Sequence, residues 1–230
     1  MQDFTLSSAP GVTVALRRSA RARRISLRVS SLDGRVTLTL PPGTPERVGR
    51  AFAEEKARWL EAAVGKVKMP RAVAIGATLP VEGQEMQVVA GQGKSARFDG
   101  RCIAAPPGRE GPAIEALLKK TARDRLAAAV DRFAGALGKT AGRLTLRDTR
   151  SRWGSCSSEG NLMFSWRLIM APSRVLDYVA AHEVAHLRHM DHSPAFWATV
   201  EDLFPGHRAE RDWLKREGAT LHRYRFRAGD

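Results

Sequence analysis

The sequence predicts an α+β protein: a β-rich N-terminal part carrying one helix, then a helical part with a short sheet. Three observations support this. Between residues 12 and 105, apolar residues alternate in short runs bounded by turn signals, the period of half-buried strands. From residue 113 onward they recur at three- and four-residue spacing, the period of amphipathic helices. The segment Pro106-Pro107-Gly108-Arg109-Glu110-Gly111-Pro112 is the clearest composition break, a domain boundary or a sheet-to-helix loop; we draw the expected division as 1–106 and 107–230.

In chain order, Val12 to Leu16, Ile25 to Ser30 and Val36 to Leu40 read as strands, with Asp33-Gly34 as a hairpin signal between the last two. Pro41-Pro42-Gly43 closes the hairpin. Thr44 as N-cap, with Pro45 and Glu46, opens a helix to about Val64 whose stripe is Val48, Phe52, Trp59, Leu60 and Ala63. A basic connector follows over 66–72. Val73 to Val81, Glu85 to Ala90, Ser95 to Phe98 and Cys102 to Ala105 read as short strands, with turns at Glu82-Gly83 and Asp99-Gly100. No internal repeat is visible. A long helix runs from Ala113 to about Leu137 and stops near Gly138. Arg143 to Arg147 and Leu162 to Trp166 are strands, with the run Arg150 to Ser157 and a turn at Glu159-Gly160 between them.

Next comes the chemistry. Pro172-Ser173, then Val175, Leu176, Tyr178, Val179, Val184 and Leu187, form an amphipathic helix with Ser173 as the expected N-cap and an end near His189–Met190. Its second half holds His182-Glu183-Val184-Ala185-His186, an H-E-x-x-H pattern. Residues four apart share one helical face, so His182 and His186 can bind one Zn²⁺. Glu183, rotated by about 100°, is poorly placed as a ligand and well placed to take a proton from a zinc-held water. His192 becomes the third ligand if the chain turns back after the helix, and Asp191, Ser193 and Pro194 suit such a stop and restart. Glu201 is the alternative third ligand. His189 lies about 10.5 Å along the axis from His182, too far to share the metal.

The run Thr149-Arg150-Ser151-Arg152-Trp153-Gly154-Ser155-Cys156-Ser157, the segment Asn161 to Pro172, the H-E-x-x-H and His192-Ser193-Pro194-Ala195-Phe196-Trp197 together resemble the bacterial YgjP-like metallopeptidases, relatives of the SprT/Spartan and minimal-gluzincin zinc proteases. The resemblance is dense over 143–226, and the N-terminal basic segment shares it. It implies a zincin-like catalytic part, His182, His186 and His192 as zinc ligands, and Glu183 as the catalytic residue. It also places Arg152, Trp153 and Ser155 near the cleft, with Arg152 toward a substrate carboxylate or a helix Asp and Trp153 as a wall or a core aromatic. Zinc proteases keep a substrate-pairing edge strand beside such a helix. Cys156 as a fourth ligand would close the metal to water. Asp177, Asp191 and Glu201 are candidates to orient ligand imidazoles, and His207, His222 and Tyr224 to donate to an oxyanion.

Phe196, Trp197, Val200 and Leu203 give a second helix, broken at Pro205-Gly206, and Ala209 to Glu217 a third. The net charge is +14, spread along the chain: 18 Lys+Arg against 10 Asp+Glu in 1–110, and 20 against 14 in 111–230. Arg17 to Arg24 holds five Arg in eight residues. Such a surface attracts polyanions, DNA included, or is simply solvated. No transmembrane run or signal peptide is apparent, and Cys102 and Cys156 do not make a disulfide framework, so no membrane partner and a cytoplasmic location are expected. The expected activity is zinc-dependent hydrolysis of a peptide or protein substrate. The rivals are a zinc-dependent nucleoside triphosphate pyrophosphohydrolase and a protease acting on nucleic-acid-bound proteins.

Overall fold

The computed structural model describes residues 2–30, 33–67 and 69–227. The chain separates into two compact units, Met1–Pro70 and Arg71–Asp230. The division expected at 106/107 therefore falls inside the second unit, where Pro106-Pro107-Gly108 is a turn from a strand into a helix, closed by Arg109 N–H donating to the Pro106 carbonyl.

In the first unit, β1 (Gln2–Thr5), β2 (Thr13–Arg18), β3 (Ser26–Val29) and β4 (Val36–Leu40) form a sheet ordered β1-β2-β4-β3. The β1–β2 pair is antiparallel, β2–β4 parallel and β3–β4 antiparallel. The sequence reading lacks β1. Along β4, Val36, Leu38 and Leu40 are buried and Thr37 and Thr39 only partly so, as a one-faced strand requires.

The single helix expected over 45–64 is two helices, α1 (Glu46–Glu55) and α2 (Ala57–Gly65), separated at Lys56 (φ −96°, ψ 9°). Pro45, not Thr44, is the N-cap and makes no side-chain cap bond. The stripe shifts as well. Gly49, Ala53, Ala57 and Leu60 are buried, whereas Val48 and Trp59 are 39% and 51% exposed. At Gly49 the approach is close: a Cβ there would lie 2.6 Å from Leu40 Cδ2, so glycine fits at that position.

The connector at 66–72 is described except for residue 68. It ends in β5 (Arg71–Ala72). The second unit continues with β6 (Thr78–Val81), β7 (Gln84–Ala90), β8 (Arg97–Asp99) and β9 (Cys102–Ala105), ordered β6-β7-β9-β8. Its pairings are again antiparallel, parallel, antiparallel. α3 (Glu110–Leu137) follows and ends at Gly138 in the left-handed conformation, φ +64°. The structure thus contains a repeat of strand plan that the sequence does not display.

β10 (Leu144–Arg147), β11 (Gly154–Cys156) and β12 (Leu162–Ser165) make a three-stranded sheet ordered β10-β12-β11. β10 runs parallel to β12, and β11 antiparallel to it at the sheet edge. A 3₁₀ segment, Trp166–Met170, leads to α4 (Ser173–Ala185), α5 (Pro194–Leu203) and α6 (Arg208–Glu217). β13 (Tyr224–Arg225) then pairs in parallel with β5. α3 packs on α4, on the 3₁₀ segment and on β9. Ile114, Leu118 and Leu126 of α3, with Phe164, Trp166 and Leu176, are fully buried. Each such side chain is worth about 1.5–3 kcal/mol of hydrophobic burial.

Arg167, inside this core, donates from Nε and Nη2 to Asp148 (2.7 and 3.0 Å) and from Nη1 to the carbonyls of Leu221 (3.0 Å) and Tyr224 (3.2 Å). Burial alone would raise the Asp148 carboxyl; the Arg167 hydrogen bonds and charge outweigh it and hold it below the ordinary carboxylate range.

Candidate metal centre

α4 buries Val175, Leu176, Val179, Ala180 and Val184. Pro172, rather than Ser173, precedes its first turn as N-cap. His182 and His186 project from the same side, with ring centroids 5.2 Å apart. The α-helix stops at Ala185, about a turn before the expected His189, and tightens. Leu187 N–H donates to the Val184 carbonyl (2.9 Å) and Arg188 N–H to that of Ala185 (3.0 Å). The His189 carbonyl accepts from His186 Nδ1 at 2.9 Å, which fixes the ring and leaves its Nε2 lone pair free to bind a metal. Ser193 then caps α5, its hydroxyl accepting from Phe196 N–H at 3.4 Å, with Pro194 at the first helical position.

This early stop brings His192 back. Its Nε2 lies 3.2 Å from His182 Nε2, and one nitrogen from each of His182, His186 and His192 lies within 4.8 Å of the others. Burial first, then the nearby His186 and His192, push the His182 pKa down to about 3. Burial likewise lowers His186. Neutral imidazoles in such contact either share a proton in a hydrogen bond or share a cation, and three ring nitrogens gathered this closely are a donor set that fits a divalent metal. His182 Nδ1 is buried with no hydrogen-bond partner among the described residues. Phe196 supports the group from below, stacked on His186 at 4.4 Å between centroids.

Glu183 is 5% exposed and lies against β11. A Cβ on Gly154 would sit 2.6 Å from both Glu183 Cγ and Oε1, so the carboxylate reaches its position only because that strand residue is glycine. Burial raises the Glu183 pKa to about 8, with Arg152 pulling the other way. Burial, and secondarily Glu183, raise the Cys156 thiol.

Arg152, Trp153 and Ser155 therefore lie just before or on the strand that runs along Glu183. Arg152 is exposed, and its carbonyl accepts from Thr149 Oγ1 at 2.7 Å. Trp153 is half-buried on His222, with centroids 5.3 Å apart, and against Gly218, so its ring serves packing as well as the strand. Ser155 pairs with Met163 of β12.

Glu201 stands apart from the three histidines. Its oxygens accept from Gly206 N–H (3.0 Å) and bond His207 Nδ1 (2.7 Å). Asp177 pairs with Arg132 at 3.2 Å, and Asp191 accepts from Ser193 N–H at 3.3 Å. His222 lies 4.0 Å from Asp148, while Tyr224 accepts from Arg223 through its hydroxyl and from Arg167 through its carbonyl. Trp197, read from the sequence as helix packing, is half-buried instead. Its ring lies 5.6 Å from His182 and 5.9 Å from His192, and it stacks on His207 at 5.4 Å. No local signal in the sequence pairs Trp197 with His207.

The profile of the YgjP-like metallopeptidase domain matches residues 23–217. The chain belongs to the YgjP-like metallopeptidase family. The match takes in α4, β11, His192 and the Glu201–His207 pair. Membership makes the YgjP-like chain a metallopeptidase and implies a divalent metal, for which the three histidines are the suitable group among the described residues. Among solved structures, the chain is similar to the metallopeptidase zymogen of Pyrococcus abyssi abylysin. The likeness is 26% identity over 42% of this chain and 95% of that one, with a TM-score of 0.34. Comparison with curated proteins gives no match. Among the described residues, no helix of the YgjP-like chain is long and apolar enough to cross a membrane.

Proposed function

We propose that the chain is a zinc-dependent metallopeptidase in which His182, His186 and His192 hold the metal and Glu183 is the general base. The convergence of the three ring nitrogens beside a buried carboxylate supports this reading. Three neutral imidazoles with an open fourth position are the donor set of a catalytic zinc. Bound there, the ion would polarise a peptide carbonyl and bring the pKa of water toward about 7. Glu183 accepts a proton from the attacking water and returns it to the leaving amine. Burial favours the protonated carboxyl, and a neighbouring cation acts against that burial. The free edge of β11 suits an extended peptide, with Arg152, Trp153 and Ser155 contacting it. The basic surface is a proposed polyanion contact, tested by the salt dependence of DNA binding.

The test joins metal content to turnover. Wild type should carry one zinc per chain and His192→Ala should lose it. Glu183→Gln should keep the metal and lose about 10³-fold or more in kcat. Full turnover by Glu183→Gln would overturn the role of Glu183, and zinc retention by His192→Ala that of His192.

A further inference from the structure

Next to the histidine cluster is a cleft of about 690 Å³ lined by Trp197, Ala198, Glu201, Gly206, His207, Arg208 and Arg211. Its volume is that of a small-ligand site. Trp197 is the wall shared with the proposed metal centre, in contact with both His182 and His192. The backing of that wall is built rather than incidental. His207 is 6% exposed, stacked on Trp197 at 5.4 Å and on Tyr178 at 5.9 Å, and fixed through Nδ1 by Glu201.

Charge tells what such a cleft would hold. Glu201 is its only carboxylate among the lining residues, and both of its oxygens are engaged by Gly206 and His207. Two arginines line it as well, and the charge of Arg208 already acts on Glu201, which leaves Arg211 as the less engaged of the two. Arg211 has its guanidinium carbon 4.4 Å from the Trp197 ring centroid, held by cation–π attraction, and no carboxylate lies within ion-pair distance of it among the described residues. A guanidinium laid on an aromatic wall keeps its edge N–H groups free to grip a carboxylate in a fork.

We propose that this cleft is a substrate subsite that selects a carboxylate, through Arg211 with Arg208 in support, on a residue near the bond being cut. The proposal rests on the metallopeptidase reading for its location along the substrate. Acidic side chains and the free α-carboxylate of a peptide end offer the same chemistry.

The test uses the zinc-loaded full chain and matched fluorogenic peptides. One series exchanges Glu for Gln at each position around the cleaved bond; another exchanges a free C-terminal acid for an amide. In wild type, kcat/KM should favour one carboxylate form over its neutral partner by about tenfold, the scale of one charge-assisted contact. In Arg211→Gln that ratio should fall toward one. Preference in the first series assigns the cleft to a side chain, and in the second to a chain end; either supports the proposal. Cleavage with no preference, or preference that survives in Arg211→Gln, overturns it. Calorimetric binding of the same peptides to Glu183→Gln and to Glu183→Gln/Arg211→Gln separates the two ideas. A carboxylate preference in binding without any wild-type turnover would sink the peptidase reading and leave the subsite. Equal binding of both forms would sink the subsite.

Discussion

The sheets β1-β2-β4-β3 and β6-β7-β9-β8 follow one plan, with the same order of antiparallel and parallel pairings, and each is followed by helix. The helices differ. In the first unit a broken helix presents a narrow strip of Gly49, Ala53, Ala57 and Leu60 to its own sheet and leaves Trp59 exposed. In the second, α3 continues for 28 residues and is buried on several sides, because it also carries α4 and the 3₁₀ segment. An identical strand arrangement is a complete small layer in one place and, in the other, the support of α3, the helix on which the histidine helix packs. What a sheet-and-helix unit does is set by the faces of its helix that remain available for packing.

Four tests, using five substitutions, probe that contrast. Leu126→Ala in α3, fully buried, should cost about 3 kcal/mol in denaturant unfolding, against less than about 0.5 for Trp59→Ala; similar losses would erase the difference between the helices. Gly154→Ala places a methyl where Glu183 lies, so the damage should appear as about 10²-fold in kcat with zinc retained. Wild-type rates would show that the strand tolerates the added carbon.

A third test uses pH. His222, pushed down to about 4 by burial first and by Arg167, stays neutral in the folded state while the unfolded chain takes up its proton near pH 6.5. The unfolded state therefore binds more protons between those values, and stability falls as pH drops from 6.5 toward 4. The contribution is on the order of 2 kcal/mol, and His222→Phe should flatten the curve relative to wild type. Parallel curves would remove His222 as the cause. Apart from the Trp59→Ala control, the smallest effect is expected from Gly49→Ala. It also sets a methyl 2.6 Å from a side-chain atom, but that atom is a terminal carbon of Leu40. Overpacking of about 1–3 kcal/mol is offset by about 1 from helix propensity, leaving about 1 kcal/mol of stability and an unaltered kcat. A fall in kcat would tie that packing to the catalytic unit.

The site was legible where its chemistry is local. His182, Glu183 and His186 are a five-residue pattern, and the stop at Asp191-His192-Ser193-Pro194 announces the chain reversal that brings His192 back. Most strands and helices were legible from period and turn residues. What depends on distant partners was not. The break at Lys56 and the exposure of Trp59 carry no local signal, and the close meeting of Gly49 with Leu40 shows only in the folded unit. Gly154 is one residue in a run of small and polar ones until Glu183 lies against it. The cleft joins α5 to α6 through a His207 that carries no motif. The repeated strand plan leaves no trace because short alternating strands accept many apolar residues.

Arg167 gives the second unit an order of assembly. Its guanidinium lies in the core between Asp148, upstream of α4, and the carbonyls of Leu221 and Tyr224, downstream of it. On a growing chain the histidine helix is therefore made before two of the acceptors that Arg167 needs, and before β13 can close on β5. Until residues 221–226 arrive, a buried charge lacks half of its partners and Trp166 lacks the Phe226 ring that packs on its edge. Synthesis thus passes the three histidines before it supplies the residues that complete the core beneath them.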